Sequence, residues 1–226
     1  ALMGEIDRLA SDTEFNTKSI LDGTCCRQTS SSNTGVSLIS MTDDVALTTY
    51  SLTVTQASTK TNVTTGTLGM GEKDKFTKDG KVQINGQTIE IKQGETLEEA
   101  YAKIRDCCES MNIDVLPVNG KDANGNPKEV ALSGATSLYF ESKIYGASRN
   151  IEITTDDPEL ATKLGVNGAV ITQGKDAIVS LDTDSGFTKT ATTFIDGNRV
   201  TVSDRGGFEM IFNVAGAEAG MDADVT

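Results

Sequence analysis

The sequence predicts an α+β fold that is mostly β, built from small antiparallel sheets that each pack against a helix. Residues 47–55 alternate between two faces, with Tyr50, Leu52 and Val54 on one of them, as a half-buried strand does. Two further stretches, 82–91 and 194–202, place alternating apolar residues around a turn dipeptide, which is typical of a β-hairpin. Because Ser, Thr, Asn and Gly are abundant and Pro is scarce, the composition is typical of a β-rich, turn-rich chain, and we expect strands to dominate.

The composition excludes several classes of function. A formal net charge of −13 argues against nucleic-acid partners, whose phosphates are bound by Lys and Arg. The chain has no histidine, which removes the commonest general base and metal ligand. No run of about 18 apolar residues predicts a membrane span, and no charged, apolar, cleavable start is present. We therefore predict a structural protein that is not an enzyme and that needs no cofactor or metal.

The first residues predict the end of an amphipathic helix followed by a polar loop. Leu2, Ile6 and Leu9 form one apolar stripe, and Phe15 is an isolated large apolar residue in the loop. A helix of about twelve residues is only ~18 Å long and is marginal in water unless a neighbour covers its stripe. We therefore expect this helix to be truncated, with its upstream part and its packing partner outside the chain.

The order Glu-Ile-Asp-Arg, Thr-x-Phe-Asn and Leu-Asp-Gly within residues 5–23 resembles bacterial flagellin, where an inner-domain helix turns into a loop. The family has Gly after Phe-Asn, whereas this chain has Thr17. The resemblance implies a filament subunit that self-assembles for motility, with Leu2, Ile6, Leu9 and Phe15 packing in the inner tube. Its partners would be other flagellin subunits and a flagellar export chaperone. Its location would be the extracellular flagellum, reached without a cleaved signal peptide.

The same resemblance implies innate immune recognition by the toll-like receptor for flagellin in animal hosts. Glu5 matches the family's receptor-facing glutamate, and Arg8 lies beside it. The alternative for these two residues is an ordinary surface pair at i and i+3, which stabilises a helix by a few tenths of a kcal/mol.

Residues 82–119 carry the clearest local pattern. Two alternating strands flank Asn85-Gly86, and Thr96 with Glu99 forms a capping box at the start of a helix. The buried stripe of this helix is predicted to consist of Leu97, Ala100, Tyr101, Ile104, Cys108 and Met111. The unit resembles the "hook IN" motif shared by flagellins and hook-associated proteins. A filament-cap or hook-associated protein is therefore the alternative function, and a carbohydrate-binding or hydrolytic β-domain is a more distant one.

The remaining sequence predicts more short strands and one compact helix. Asp157 caps a helix that has Pro158 in its first turn and ends at Gly165. Strands are predicted at 129–132, 137–142, 151–155, 176–181, 192–195, 199–202 and 208–214, and no element is predicted after residue 214. We divide the chain into a truncated inner segment with a linker (1–58), a hook-IN-like outer part (59–135) and a β-rich outer part (136–226) with a short helix at 158–164.

Four cysteines occur as the adjacent pairs Cys25-Cys26 and Cys107-Cys108. Adjacent residues on a helix point about 100° apart and converge poorly on one metal ion. Cys108 lies in the predicted apolar stripe of its helix, so a buried free thiol is favoured there. A disulfide between the pairs or a metal site is the alternative.

Two acidic stretches, 122–126 and 182–186, look like calcium loops but lack the Gly and Glu that such loops need at positions 6 and 12. We interpret both as acidic turns. The carboxylate pairs Asp43-Asp44 and Asp156-Asp157 are likewise expected at turns and caps.

Overall fold

The structure, a computed structural model, describes residues 14–15, 18–19 and 29–226. The strands are β1 (Glu14–Phe15), β2 (Lys18–Ser19), β3 (Ser37–Met41), β4 (Tyr50–Gln56), β5 (Lys60–Thr64), β6 (Gly80–Ile84), β7 (Gln87–Ile91), β8 (Ile113–Lys121), β9 (Pro127–Glu129), β10 (Ser137–Tyr145), β11 (Ile153–Thr154), β12 (Val170–Thr172), β13 (Ile178–Leu181), β14 (Thr192–Asp196), β15 (Arg199–Ser203), β16 (Glu209–Asn213) and β17 (Met221–Val225). The helices are α1 (Leu97–Ser110) and α2 (Pro158–Lys163), and 3₁₀ turns cover Leu132–Gly134 and Val166–Gly168. The predicted α+β, mostly β fold is confirmed.

A first hydrophobic core, which we call the helix-containing core, lies between two sheets and two helices. Its larger sheet has the strand order β12-β5-β10-β8-β9, and its smaller sheet has the order β11-β6-β7. Leu97, Ala100, Ile104 and Cys108 of α1 are buried in this core, as predicted, whereas Tyr101 and Met111 are only partly buried at its margin. Helix α2 contributes Leu160, which is also buried.

Local sequence explains the elements of this core. Asn85 and Gly86 both have positive φ, 47° and 81°, as a two-residue type I′ hairpin requires. At the start of α1 the Thr96 N–H donates to Glu99 Oε2 (2.8 Å), and the Glu99 N–H donates to Thr96 Oγ1 (3.3 Å). These reciprocal bonds confirm the predicted capping box.

A second core, which we call the sandwich core, lies between two antiparallel sheets with the strand orders β13-β4-β17 and β14-β15-β16-β3. Tyr50, Leu52 and Val54 point into it, so the predicted alternation of this strand is confirmed. The Phe187 ring packs edge-on against Tyr50 (5.1 Å between centroids) and against Phe212 (6.2 Å). These aromatic contacts fill the centre of the sandwich.

The helix-containing core is inserted into the sandwich core. The chain leaves the sandwich after β4 and returns as β13, which pairs with β4. Antiparallel register continues without a break through Gln56–Ile178, Thr59–Lys175, Asn62–Thr172 and Thr64–Val170.

The boundary predicted between residues 135 and 136 lies within the connection to β10, and β10 pairs with both β5 and β8 of the larger sheet. The division into three segments stays a prediction.

The strand expected over 47–55 begins only at Tyr50, and two further local expectations were wrong. Residues 129–132 do not form one strand, because β9 ends at Glu129 and Leu132 begins a 3₁₀ turn in which its carbonyl accepts from Ala135 N–H. The C-terminal residues were expected to carry no element, but Met221–Val225 form β17 beside β4. Ala223 and Val225 are buried there, while Asp222 and Asp224 alternate with them on the exposed face. The short side chain of Ala223 made this alternation hard to recognise in the sequence.

Candidate functional site

The predicted assembly and receptor-facing residues belong to the N-terminal stretch. Those outside the described residues are Leu2, Glu5, Ile6, Arg8 and Leu9. Phe15 is in β1, where it pairs with Lys18 of β2, and its side chain is not described. The roles of these residues stay predictions, and a site is therefore sought among residues 29–226.

A groove of about 750 Å³ lies on the open face of the larger sheet in the helix-containing core. The core covers the other face of this sheet, so residues along its strands alternate between the two faces. Val63 and Phe140 point into the core, whereas Asn62 and Tyr139 point toward the groove. The loop between β8 and β9 and the strand β12 also line the groove.

Four side chains form a connected polar network in this groove. The Tyr139 hydroxyl donates to Glu141 Oε2 (2.7 Å), and Lys60 Nζ lies 3.3 Å from Glu141 Oε1. The same ammonium lies 5.4 Å from the centroid of the Tyr145 ring, in cation–π range. Both carboxylate oxygens of Glu141 are therefore engaged.

The electrostatics of the groove oppose acid–base chemistry. Burial raises the pKa of Tyr139, and the hydrogen bond to Glu141 and the charge of Glu141 raise it further. The phenol thus stays protonated and acts as a hydrogen-bond donor, not as a base or nucleophile. The groove offers donors, acceptors and ring faces, which is the chemistry of a binding or contact surface.

A second cluster of polar contacts joins the two cores. Asp176 Oδ1 accepts hydrogen bonds from the N–H groups of Ala147 and Gly197, both at 3.0 Å. Arg149 Nη2 binds the Asp196 carboxylate at 3.1 and 3.3 Å. Ala147 and Arg149 follow the larger sheet, whereas Gly197 turns between two strands of the sandwich, so these contacts link both cores.

Three glycines let the backbones approach at this junction. A Cβ at Gly197 would lie 2.4 Å from the Tyr145 carbonyl oxygen, and one at Gly174 would lie 2.5 Å from the Gly146 carbonyl oxygen. Gly197 also has a φ of 62°, a conformation that glycine adopts without strain. A side chain at Gly197 would therefore push the two cores apart here, and one at Gly174 would displace the backbone at Gly146.

Cys108 is buried in α1 and Cys107 is half-buried, both as free thiols. Burial, and then the neighbouring Cys107, raise the pKa of the Cys108 thiol to about 12. The buried free thiol favoured for Cys108 is confirmed, whereas Cys25 and Cys26 lie outside the described residues. Such a thiol is almost entirely protonated at neutral pH and is chemically inert.

The acidic stretches are turns, as predicted. Asp122 Oδ1 accepts from the N–H groups of Asn124 and Asn126, and Asp182 Oδ1 accepts from that of Asp184. Asp157 Oδ1 accepts from two N–H groups at the start of α2, which makes it the predicted N-cap. Within residues 14–15, 18–19 and 29–226, His, Cys, Asp and Glu side chains do not gather in groups of three that could hold a metal ion.

Sequence reasoning missed both the groove network and the junction. Lys60 and Glu141 are far apart in the chain and meet only because β5 pairs with β10. The isolated glycines at 146 and 174 were the one linear signal for close backbone approach, but they do not identify their partners. None of the helices in the described part of the chain is long and apolar enough to span a bilayer.

Comparison with known proteins gives matches in structure only. No protein-family model matches this chain, and no curated protein matches its sequence. The fold is similar to that of the D2-D3 domains of the flagellar cap protein FliD from Escherichia coli. The TM-score is 0.58 and the identity 18%, over 88% of this chain and 97% of that one. A longer D1-D2-D3 structure of FliD from Escherichia coli gives a TM-score of 0.54 at 18% identity, and FliD from Bdellovibrio bacteriovorus gives 0.47 at 13%.

The match to the longer D1-D2-D3 structure covers 88% of this chain but only 56% of that one. This chain therefore has the fold of the D2-D3 portion of that protein. These likenesses contradict the flagellin interpretation, because the matched structures are flagellar cap proteins. The flagellin resemblance rested on residues 5–23, which lie almost entirely outside the described structure, whereas the fold is set by the two cores.

Proposed function

We propose that this chain is the outer part of a flagellar filament-cap protein. The observation that carries the proposal is its two-core architecture, which matches the D2-D3 domains of the Escherichia coli cap protein over 97% of that chain. The two cores would then be two domains, with the helix-containing core inserted into the sandwich core between β4 and β13. This replaces a role as the bulk filament subunit.

The role would be structural rather than catalytic. In the groove, Glu141 is held by Tyr139 and Lys60, and the raised pKa of Tyr139 keeps its proton in place. At the acidic turns, carboxylates accept backbone N–H groups of their own loops. This favours a contact surface over the hydrolytic alternative, because these carboxylates already have hydrogen-bond partners within the fold.

The partners under this proposal are the flagellin subunits beneath the cap, and the location is the extracellular tip of the flagellum. The export chaperone stays a prediction from family resemblance. Recognition by a toll-like receptor was tied to Glu5 and Arg8 and to the flagellin resemblance, so the cap proposal gives it no support.

Immunogold electron microscopy on the source bacterium tests this proposal. Antibodies raised against residues 29–226 should label filaments only at their distal tips. Labelling along the whole filament would contradict the cap role and indicate a bulk subunit, and absence of label from flagella would contradict a flagellar role altogether. Antibody absorbed with the purified chain provides the control for specific labelling.

A further inference from the structure

The edge strand β12 carries exposed apolar side chains that the contacts within the described residues do not explain. It borders the larger sheet, where β5 is its one strand neighbour among the described residues. Val170 and Ile171 are 66% and 57% exposed, which is unusual for two consecutive β-branched residues in a regular strand. An edge strand presents unpaired N–H and C=O groups, so an apolar edge is a template for another strand.

Other sheet edges in residues 29–226 are protected by recognisable devices. Register shifts interrupt the pairing of β3, β9 and β13 with their neighbours. Charged residues lie in β7, β14 and β17, and β11 has two residues and lies between Glu152 and Asp156. Segment 30–32 also hydrogen-bonds along β17. Such devices keep edges from pairing with other chains.

Strand β12 lacks all of these devices except shortness. Its pairing with β5 is regular, and it contains no proline and no charge. The eleven residues from 164 to 174 are all uncharged, and the residues that flank this run are Lys163 and Lys175. In a chain with a net charge of −13, this is a stretch where no carboxylate opposes the approach of another acidic molecule.

We propose that β12 pairs with β12 of a second copy of this chain, in antiparallel orientation about a twofold axis at Ile171. A second copy fits as the occupant because the run around β12 is uncharged and flanked by lysines, so another acidic chain can approach it. In that second copy, β12 is the described sheet edge that lacks these blocking devices, so β12 pairs with its own equivalent. Val170 then lies opposite Thr172 of the partner on the groove face, and the two Ile171 side chains meet on the other face. Two five-stranded sheets become one ten-stranded sheet across an isologous interface.

Charge and size both set the strength of this dimer. Lys175 is three residues from the end of β12, and its positive charge offsets part of the repulsion between two acidic chains. Three residues per copy bury much less than the ~1,200 Å² of a stable complex. The dimer is therefore weak and forms as concentration rises.

Sedimentation velocity from about 10 µM to about 1 mM tests the dimer. The wild-type mass should rise from monomer toward dimer, and Val170→Lys and Ile171→Lys should each stay monomeric. Val170→Lys is the safer variant because its side chain is 66% exposed, and circular dichroism confirms that each variant is folded. Phe194→Lys is the matched control, since Phe194 is 72% exposed on the edge strand β14; it should dimerise like wild type.

Three results would overturn the proposal. The first is a wild-type protein that stays monomeric at about 1 mM. The second is a dimer that persists in Val170→Lys or is lost in Phe194→Lys. The third comes from amide hydrogen exchange: protection of residues 170–172 should grow with concentration, and full protection in the dilute monomer would mean that the chain's own residues cover β12 instead.

Discussion

Thr59 and Lys175 exchange two backbone hydrogen bonds, of 2.9 and 3.2 Å, midway between the two cores. This pair continues the register of the Gln56–Ile178 pair of β4 and β13 below it and of β5 with β12 above it. The two crossings between the cores are therefore one antiparallel ribbon rather than two independent linkers. Such a ribbon resists bending more than two separate flexible connections do.

Asp176 should fix the junction beside this ribbon. Asp176→Ala removes the acceptor for the N–H groups of Ala147 and Gly197, so we expect a loss of about 2 kcal/mol in unfolding free energy. Asp176→Asn keeps a side-chain oxygen and should lose less. Urea unfolding measures both variants. Equal stability of Asp176→Ala and wild type would mean that water replaces the carboxylate without loss.

Gly197 should tolerate no side chain. In Gly197→Ala the new Cβ would lie 2.4 Å from the Tyr145 carbonyl oxygen at a φ of 62°, so we expect a loss of more than about 3 kcal/mol. Gly220→Ala is the matched control, because Gly220 has a φ of 85° but no neighbour within 4 Å. It should lose about 1 kcal/mol from backbone strain alone. Similar losses in both thermal melts would contradict a role for close packing at Gly197.

The capping box should stabilise α1 measurably. Thr96→Ala leaves the Glu99 N–H without its side-chain acceptor, so we expect a loss of about 1 kcal/mol in denaturant unfolding. Thr96→Ser keeps the hydroxyl and should be close to wild type. If the serine variant lost as much as the alanine variant, the threonine methyl group rather than the cap would explain the effect.

Asp157 should make stability depend on acidic pH. The hydrogen bond from Lys78 and then those from two backbone N–H groups lower the pKa of Asp157 below its ordinary value of 3.8. Because the folded-state pKa is the lower one, the contribution is fully present above about pH 5 and is lost as pH falls through the folded-state pKa. Unfolding free energies measured from pH 6 down to about pH 2 should therefore fall less steeply in Asp157→Asn than in wild type. Parallel profiles would contradict this assignment.

The thiols of α1 should differ in reactivity. With a pKa of about 12 and a buried side chain, Cys108 should resist iodoacetamide at pH 8 in the folded protein, whereas half-buried Cys107 should react. Peptide mass spectrometry separates the two sites in Cys107→Ser and Cys108→Ser variants. Both thiols should react in urea. Rapid labelling of Cys108 without denaturant would show that α1 opens from the core.

Short-range patterns were predictable because their causes are local. Three such patterns depend on residues that are neighbours in the chain. They are the positive φ at Asn85-Gly86, the Thr96 cap, and the alternation of Tyr50, Leu52 and Val54. The similar hairpin patterns of 83–91 and 194–202 were only partly informative. Asn85-Gly86 form the first loop, but in the second Asp196 still pairs with Arg199, so Gly197-Asn198 form the loop and the register moves by one residue.

The flagellin interpretation failed for a related reason. It relied on residue types within 5–23, a segment too short to define a fold, and it gave less weight to the middle of the chain, which also resembled cap proteins. The likeness to the cap-protein D2-D3 domains comes from how strands distant in sequence pair into two cores.

Residue spacing along single segments was enough to predict the mostly β class, the hairpin at Asn85-Gly86, both helix caps and the buried thiol of Cys108. The folded arrangement of the strands was needed to see that one core is inserted in the other, that Lys60 meets Glu141, and that Asp176 reaches Gly197. Those contacts join residues separated by many positions, and their geometry is set by strand register and by backbone approach at glycine, which linear spacing does not encode.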